Sequence, residues 1–286
     1  MTGAGMTGAS AAGPGAVTAH YARDGIAERI LAALRESAGA EAAVTPEALA
    51  PLDHFHGRGL VATAELLALL APAPGEQVLD IGCGIGGPAR WIAARAGCHV
   101  TGVDLTEAFC EAAVVLNAAA GMAERVRILH GSATDLPLPD AAFDRAYSQN
   151  VAMNIEDKPR FYAEARRVLR PGGVLALSNL ASGPAGPPRY PLPWAAVPET
   201  SFLVTPEATR AGLEAAGFEI LAFHDVSVAV HAFNAAMRAR AKAGAPPRLG
   251  MSVLVGEAMA ERQRNSARGI AEGTLIAIEV LARRVG

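Results

Sequence analysis

The sequence predicts an α/β fold in which a doubly wound, mostly parallel sheet of seven strands lies between helices, with N-terminal helices before it and cap segments inserted into it. Three observations predict this fold. Short β-branched runs alternate with helical patterns from residue 77 to residue 179, which is typical of strand–helix–strand units. A glycine-rich turn follows the first of these runs. The 286 residues, 51% of them hydrophobic, can bury a full core without disulfide bonds.

The alternating region contains five predicted strands and three predicted helices. Thr106 stands at the N-cap position of the second helix, and Pro171-Gly172-Gly173 is expected to close the third. The helices are expected over Gly87–Ala96, Thr106–Ala120 and Lys158–Leu169, and the strands near Gln77–Ile81, His99–Asp104, Arg127–His130, Phe143–Ser148 and Val174–Asn179.

Two more strands complete the predicted sheet. Thr205-Pro206-Glu207 predicts the start of a helix, and Gly217 predicts its end. A strand-like pattern follows over Phe218–Val230, and the last strand is expected over Thr274–Val285. Residues 231–273 between them have helical spacing, so we expect a helical cap inserted before the last strand.

The other segments suggest how the chain is divided. Residues 1–20, rich in small residues and without the features of a signal peptide, predict a disordered tail. Residues 21–59 predict a helical preface and a polar loop, with Pro51 breaking the helix that precedes it. The core is expected over residues 60–286, and its proline-rich segment 181–204 is a candidate lid.

Composition excludes several classes of function. The 25 Lys and Arg residues face 28 Asp and Glu residues, so the chain lacks the excess of cations that nucleic-acid binding requires. No apolar stretch reaches the roughly 18 residues of a membrane span. Three cysteines are too few and too irregularly spaced for a disulfide framework or a zinc site. We therefore expect a cytoplasmic protein without a metal.

The most informative segment is the glycine turn after the first strand. Gly82, Gly84 and Gly87 have the spacing of a dinucleotide fingerprint, and Asp104 lies about 20 residues further on. On spacing alone, an NAD(P)-dependent reductase stays open. Asp80, however, lies two residues before the first glycine, where a carboxylate would repel a diphosphate in a poorly solvated cleft and attract a cation.

Asp80-Ile81-Gly82-Cys83-Gly84 also resembles the first motif of the class I S-adenosylmethionine-dependent methyltransferases, whose fold is Rossmann-like. Thr101-Gly102-Val103-Asp104-Leu105 resembles the acid of that family that binds both ribose hydroxyls, and Gly131–Pro137, which contains Asp135, resembles its adenine-contacting loop. The resemblance implies S-adenosyl-L-methionine as cofactor. It implies cofactor-binding roles for His56, Gly59, Asp80, Gly82, Cys83, Gly84, Gly86, Asp104, Leu105, Ala133, Thr134 and Gln149.

Within that family the chain resembles the glycine, sarcosine and dimethylglycine N-methyltransferases. The likeness rests on Phe55–Gly59, Gly86–Arg90, Met153–Lys158 and Tyr190–Ala195. It implies methyl transfer to an amine of a small molecule, with O- or C-methylation of a secondary metabolite as the alternative. A cofactor-binding protein that has lost catalysis also stays open.

Several residues are candidates for the substrate side of the site. Asn150, Met153, Tyr190 and Trp194 are expected to line the substrate pocket, where the two aromatic rings could hold a methylammonium group. The catalytic base stays unknown, with His54, His56 and Asn150 as weak candidates. A carboxylate-bearing substrate would need a cation, for which the candidates are Arg58, Arg189 and Arg248. The acceptor and the oligomeric state cannot be read from the sequence.

Overall fold

The computed structural model describes residues 25–54, 56–243 and 258–286. Its centre is a seven-stranded sheet with the strand order β3-β2-β1-β4-β5-β7-β6. The first five strands run parallel, and β7 runs antiparallel to both of its neighbours, β5 and β6. The predicted seven-stranded, mostly parallel, Rossmann-like fold is confirmed.

The elements follow the predicted order. The strands are β1 Gln77–Ile81, β2 His99–Asp104, β3 Val126–His130, β4 Phe143–Gln149, β5 Leu169–Ser182, β6 Phe218–Asp225 and β7 Leu275–Arg284. The helices are α1 Ile26–Ala38, α2 Pro46–Asp53, α3 Leu60–Leu70, α4 Gly87–Ala96, α5 Glu107–Ala119, α6 Lys158–Val168, α7 Pro206–Ala215, α8 Ser227–Lys242 and α9 Ala258–Glu272.

Helices cover both faces of the sheet and bury its alternating apolar side chains. On one face, Leu66 and Leu70 of α3 and Ile92 of α4 pack against Val78 and Tyr147. On the other face, buried side chains of α6 and α7 pack against alternate residues of the same strands, namely Leu79, Ile81, Ala146, Leu175, Leu177 and Val280. Burial on both faces leaves the carboxyl ends of the parallel strands as the open edge where ligands bind in such folds.

Three predicted boundaries are wrong. The helix expected to break at Pro51 continues through it to Asp53, and Pro51 forgoes only one helical backbone hydrogen bond. Helix α6 ends at Val168 and is not closed by Pro171-Gly172-Gly173, which lie within β5. That strand begins at Leu169, because this residue pairs with Phe143 of β4. The sixth strand ends at Asp225, whose carboxylate accepts the Ser227 N–H (2.8 Å) and so starts α8.

Other predictions fall partly outside the described residues. These include the tail over residues 1–20, Phe55, Arg248 and the middle of the cap, residues 244–257. The division into tail, preface and core therefore stays a prediction. Within the described residues, no helix combines the length and apolar character needed to cross a membrane.

Candidate functional site

A cavity of about 820 Å³ lies across the carboxyl ends of the parallel strands. It begins beside Asp104 of β2, passes Asp80 of β1 and Gln149 of β4, and reaches Asn179 of β5 and Ile278 of β7. Ligand pockets in proteins measure about 300–1,000 Å³. The volume of the cavity is therefore that of a ligand pocket.

The glycine turn forms one wall of this cavity. Gly82 and Cys83 both donate their backbone N–H to Val103 O of the neighbouring strand (2.8 and 3.1 Å). Gly82 has φ +84°, and a Cβ there would lie 2.4 Å from Cγ2 of Val151. Gly84 has φ +54° and no atom within 4 Å of such a Cβ, so its bare backbone borders open space.

Asp104 is held by backbone amides on both of its oxygens. Its Oδ2 accepts the Gly84 N–H (2.8 Å), and its Oδ1 accepts the Thr106 N–H (2.9 Å). Thr106 precedes α5 as predicted, but its side chain makes no capping hydrogen bond. Burial raises the pKa of Asp104 and the two amide bonds oppose that rise. The carboxylate thus has a fixed orientation at the mouth of the glycine turn.

Asp80 lies at the end of β1 and is also buried. The hydroxyl of the fully buried Tyr147 donates to Asp80 Oδ2 (2.8 Å). Burial raises the pKa of Asp80 to about 7, and the nearby charge of Asp104 contributes to the rise. A bound cation would favour the ionised form, so the two acids together create a site for a positively charged ligand.

A buried ion pair supports the glycine turn from behind. Arg90 of α4 is fully buried, and its Nη2 donates to Asp53 Oδ2 (2.9 Å) and to Ile85 O (2.8 Å). Its Nη1 donates to Oδ1 of Asn117 (2.8 Å). A Cβ on Gly87 would lie 2.3 Å from Asp53 O, so α2 and α4 are in close backbone contact. The N-terminal helices are thereby fixed against the turn.

The two candidate histidines have different surroundings. His54 is buried beside Asp53, to which its Nδ1 donates (2.8 Å), and it does not line the cavity. His56 lines the cavity, and its Nε2 lies 3.2 Å from Oγ1 of Thr63. Thr63 in turn donates to Gln149 Oε1 (3.3 Å). Burial lowers the pKa of His56 to about 3, which makes its imidazole a weak base.

The cavity continues over β5 and β7 into an apolar compartment. Met153, Trp194 and Phe202 line it from the loops, and helices α8 and α9 add further apolar side chains. Trp194 Nε1 donates to Ser201 Oγ (2.9 Å), which fixes the indole ring. Tyr190 does not line the cavity; instead it packs against the cluster that contains Trp194.

The arginines predicted to bind a substrate carboxylate are Arg58, Arg189 and Arg248, and the structure does not support that role for them. Arg58 lines the cavity, but it forms ion pairs with Glu65 and with Glu279, the latter at 3.5 Å. Arg189 is exposed and does not line the cavity, and Arg248 lies outside the described residues. The positive charge of Arg58 is therefore already balanced by carboxylates.

The structure brings most of the predicted residues together around one cavity. Those that line it are His56, Asp80, Gly82, Cys83, Gly84, Asp104, Leu105, Ala133, Thr134, Gln149, Asn150, Met153 and Trp194. Those that do not are His54, Gly59, Gly86 and Tyr190. Gly59 immediately precedes α3, and Gly86 packs against Arg90. Both residues therefore shape the backbone beside the cavity without lining it. Asp135, the expected adenine acid, points to solvent with its side chain 88% exposed.

Sequence reasoning missed three features of the site. Tyr147 had no distinctive local signal, because β4 also contains the polar residues Asp144, Arg145, Ser148 and Gln149. The pairing of Asp53 with Arg90 spans 37 residues and had no local signal. Phe202 and the cap residues enter the cavity only through the tertiary fold. The described residues contain no group of three or more His, Cys, Asp or Glu side chains suited to a metal ion.

Comparison with known proteins finds similar sequences for the middle of the chain. Residues 79–177 match the family described as methyltransferase domain. Sterol 24-C-methyltransferase ERG6B of Gibberella zeae is 36% identical over 104 residues, which are 36% of this chain and 27% of that protein. Glycine/sarcosine/dimethylglycine N-methyltransferase of Actinopolyspora halophila is 38% identical over 114 residues, 40% of this chain and 20% of that protein.

A solved structure extends the likeness beyond the matched domain. The crystal structure of the [4+2]-cyclase SpnF superposes with a TM-score of 0.63 at 27% identity and covers 79% of this chain and 82% of that chain. The chain spans less than half the length of the curated relatives it matches. The matched segment nevertheless begins within β1, contains the glycine turn and ends within β5. Residues 79–177 therefore form a methyltransferase domain within a Rossmann-like fold.

Proposed function

We propose that this chain binds S-adenosylmethionine and transfers its methyl group to a small molecule. One observation carries the proposal: Asp80 and Asp104, at the ends of neighbouring parallel strands, line one cavity with a bare glycine backbone between them. The cavity has additional volume for an acceptor on the side of β5 and β7. The sterol and amine methyltransferases among its relatives are consistent with this activity.

The residues at the glycine turn fit this cofactor better than a dinucleotide. Asp80 would hold its cationic amino acid part, and Asp104 would accept hydrogen bonds from the ribose hydroxyls. Ala133 and Thr134 line the cavity next to Asp104, where they would enclose the adenine ring. A diphosphate would instead meet the buried carboxylate of Asp80, at an electrostatic cost.

The chain contributes to methyl transfer mainly by binding and positioning. The cofactor supplies a methyl group on a sulfonium, whose carbon–sulfur bond breaks with its electron pair moving to sulfur as the acceptor atom bonds to the carbon. Gln149 ends β4 and Asn150 follows it, and both line the cavity, where they would orient the acceptor. His56 would accept a proton from the acceptor poorly, because burial lowers its pKa to about 3.

Calorimetry of the purified chain with S-adenosylhomocysteine, NAD and NADP tests the proposal directly. We expect binding of S-adenosylhomocysteine alone, followed by transfer of labelled methyl to a member of a small-molecule panel. Binding of NAD or NADP alone would overturn the proposal. S-Adenosylhomocysteine binding without any methyl transfer would support a non-catalytic cofactor protein instead.

Replacing Asp104 by alanine should weaken S-adenosylhomocysteine binding by about 1–3 kcal/mol, because charge-assisted hydrogen bonds to the ribose are lost. Calorimetric titration gives the dissociation constants. Asp135→Ala is the matched control, since its exposed carboxylate lies in the next loop and outside the cavity. An equal loss in both variants would mean that Asp104 does not contact the ribose.

The affinity for S-adenosylmethionine should rise with pH through the ionisation of Asp80. The pKa of this carboxyl is about 7, so at pH 6 most molecules carry it neutral and lose its attraction for the cation. Linkage then gives about a tenfold gain in affinity between pH 6 and pH 8. Asp80→Asn should bind more weakly at pH 8 and show a flat profile, and a persisting slope would assign the titration to another group.

A further inference from the structure

Helices α8 and α9 each present one uncharged, mainly apolar face to the cavity. The residues of α8 that line the cavity follow the spacing of one helix face and are Val230, Phe233, Asn234 and Met237. The same holds for those of α9, which are Met259, Gln263, Ser266, Ala267 and Ile270. The charged residues of both helices occupy other positions and do not line the cavity.

The described residues leave the cavity face of α8 partly uncovered. Met237 is 44% exposed, and Val230 and Phe233 are half-buried, although all three border the cavity. A helix of a globular protein normally buries its apolar stripe against a neighbour. Adjacent apolar side chains that stay exposed mark places where a ligand or a partner binds. The face of α8 therefore indicates an apolar occupant of the cavity.

The other walls of this compartment are apolar as well. Trp194 of the proline-rich segment and Ile270 of α9 belong to one apolar cluster with Ala277 of β7, and Val230 packs against that cluster. Phe202 also lines the cavity, and its backbone is fixed. Its N–H donates to Met153 O (2.8 Å), and its carbonyl oxygen accepts from Lys158 Nζ (2.6 Å). The compartment between α8, α9, β7 and the proline-rich segment is thus an apolar pocket with held walls.

The cations of the cavity lie outside this compartment or are paired. Among the described residues, Arg29 and Arg58 are the arginines that line the cavity. Arg58 is paired with Glu65 and Glu279. Arg29 belongs to α1, which packs against α5 at the β2 end of the cavity. A small zwitterion such as sarcosine would therefore bring its carboxylate into the compartment without a counter-ion, at a large desolvation cost.

We propose that the methyl acceptor has a bulky apolar body, which fills the compartment between α8, α9, β7 and the proline-rich segment. This inference rests on the proposed function. It leaves the attacking atom open, because the apolar walls select the body of the acceptor and not the atom that reacts. Such an acceptor is larger and less polar than the glycine derivatives that the sequence resemblance implied.

Calorimetry on the chain saturated with S-adenosylhomocysteine tests the acceptor body separately from the cofactor. Two probe series keep one reactive group and enlarge the apolar body: benzyl alcohol, naphthylmethanol and biphenylmethanol, and the three corresponding primary amines. We expect the affinity in at least one series to rise by about tenfold or more from the benzyl to the biphenylmethyl member, because the added ring buries apolar surface. Sarcosine should bind more weakly than the tightest biphenylmethyl probe. Failure of S-adenosylhomocysteine to bind would contradict the proposed function instead.

Matched variants of α8 locate the bound probe. Met237→Gln and Val228→Thr each replace an exposed apolar side chain by a polar one of similar shape, but only Met237 lines the cavity. Met237→Gln should weaken binding of the tightest biphenylmethyl probe by about threefold, and Phe233→Asn by about tenfold, from lost apolar contact. Val228→Thr should leave it unchanged, since Val228 is 84% exposed and outside the cavity. Retained S-adenosylhomocysteine affinity shows that each variant folds.

Four results would overturn the apolar acceptor body while leaving the proposed function intact. The first is a flat affinity across both series, and the second is sarcosine binding as tightly as the biphenylmethyl probes. The third is equal probe affinity in the native chain, Met237→Gln and Phe233→Asn. The fourth is a dimer in sedimentation that Met237→Gln dissociates, which would assign the face of α8 to a second copy of the chain.

Discussion

Asp53→Ala should lower the free energy of unfolding by about 3–5 kcal/mol, because it leaves the fully buried Arg90 without its counter-ion. Burial alone would raise the pKa of Asp53, but the hydrogen bond from His54 and the charge of Arg90 outweigh it and hold the pKa below its ordinary value. The carboxylate is therefore ionised at neutral pH. Urea denaturation followed by tryptophan fluorescence measures the change.

Two further variants test whether the unpaired charge of Arg90 causes the loss of stability in Asp53→Ala. Arg268→Ala removes an exposed pair with Glu272, whose side chains are about half exposed, and should cost less than about 1 kcal/mol. Combining Asp53→Leu with Arg90→Met replaces both charges by apolar groups and should recover most of the lost stability. A double variant as unstable as Asp53→Ala would show that packing, and not the unpaired charge, causes the loss.

Gly82→Ala should lower the free energy of unfolding by about 2–5 kcal/mol, the sum of a left-handed backbone cost and overpacking. The alanine would adopt φ +84° and place its Cβ 2.4 Å from Val151 Cγ2. Cofactor binding should fall as well, because any shift of this turn displaces the neighbouring Gly84 backbone. Urea denaturation and calorimetry with S-adenosylhomocysteine measure the two effects.

Gly75→Ala is the matched control for this substitution. Gly75 has φ +82°, close to that of Gly82, but an added Cβ meets no atom within 4 Å. It should therefore show only the backbone cost of about 1–2 kcal/mol. Adding Val151→Ala to Gly82→Ala should recover part of the stability that Gly82→Ala loses beyond Gly75→Ala. An unchanged free energy of unfolding would mean that contact with Val151 does not cause this additional loss.

Local sequence patterns predicted the order of strands and helices along the chain, because each pattern depends on residues that are close in the sequence. Strands β1 and β2 and helix α4 have the predicted bounds. The errors occur where contacts between residues far apart in the sequence determine the secondary structure. Leu169, for example, belongs to a strand because it pairs with Phe143. The start of helix α8, by contrast, could have been predicted from the sequence. Asp225 lies just before the helix and accepts the Ser227 N–H, so it was a local signal for a helix start.

The same division applies to the site. Asp80 and Asp104 could be found because they follow short buried strands, and parallel strands bring their carboxyl ends to one edge. Tyr190 and Trp194 are only four residues apart, yet only Trp194 lines the cavity. The path of an irregular loop depends on tertiary contacts such as the Trp194–Ser201 hydrogen bond, which the sequence does not encode in any local period.

The position of β7 between β5 and β6 has a consequence for synthesis. A ribosome releases β6 before β7, yet β6 hydrogen-bonds only to β7 among the described strands. The nascent chain must therefore keep β6 unpaired until β7 emerges. Cotranslational folding can complete the half that holds the glycine turn before then, whereas closure of the other half waits for the synthesis of β7.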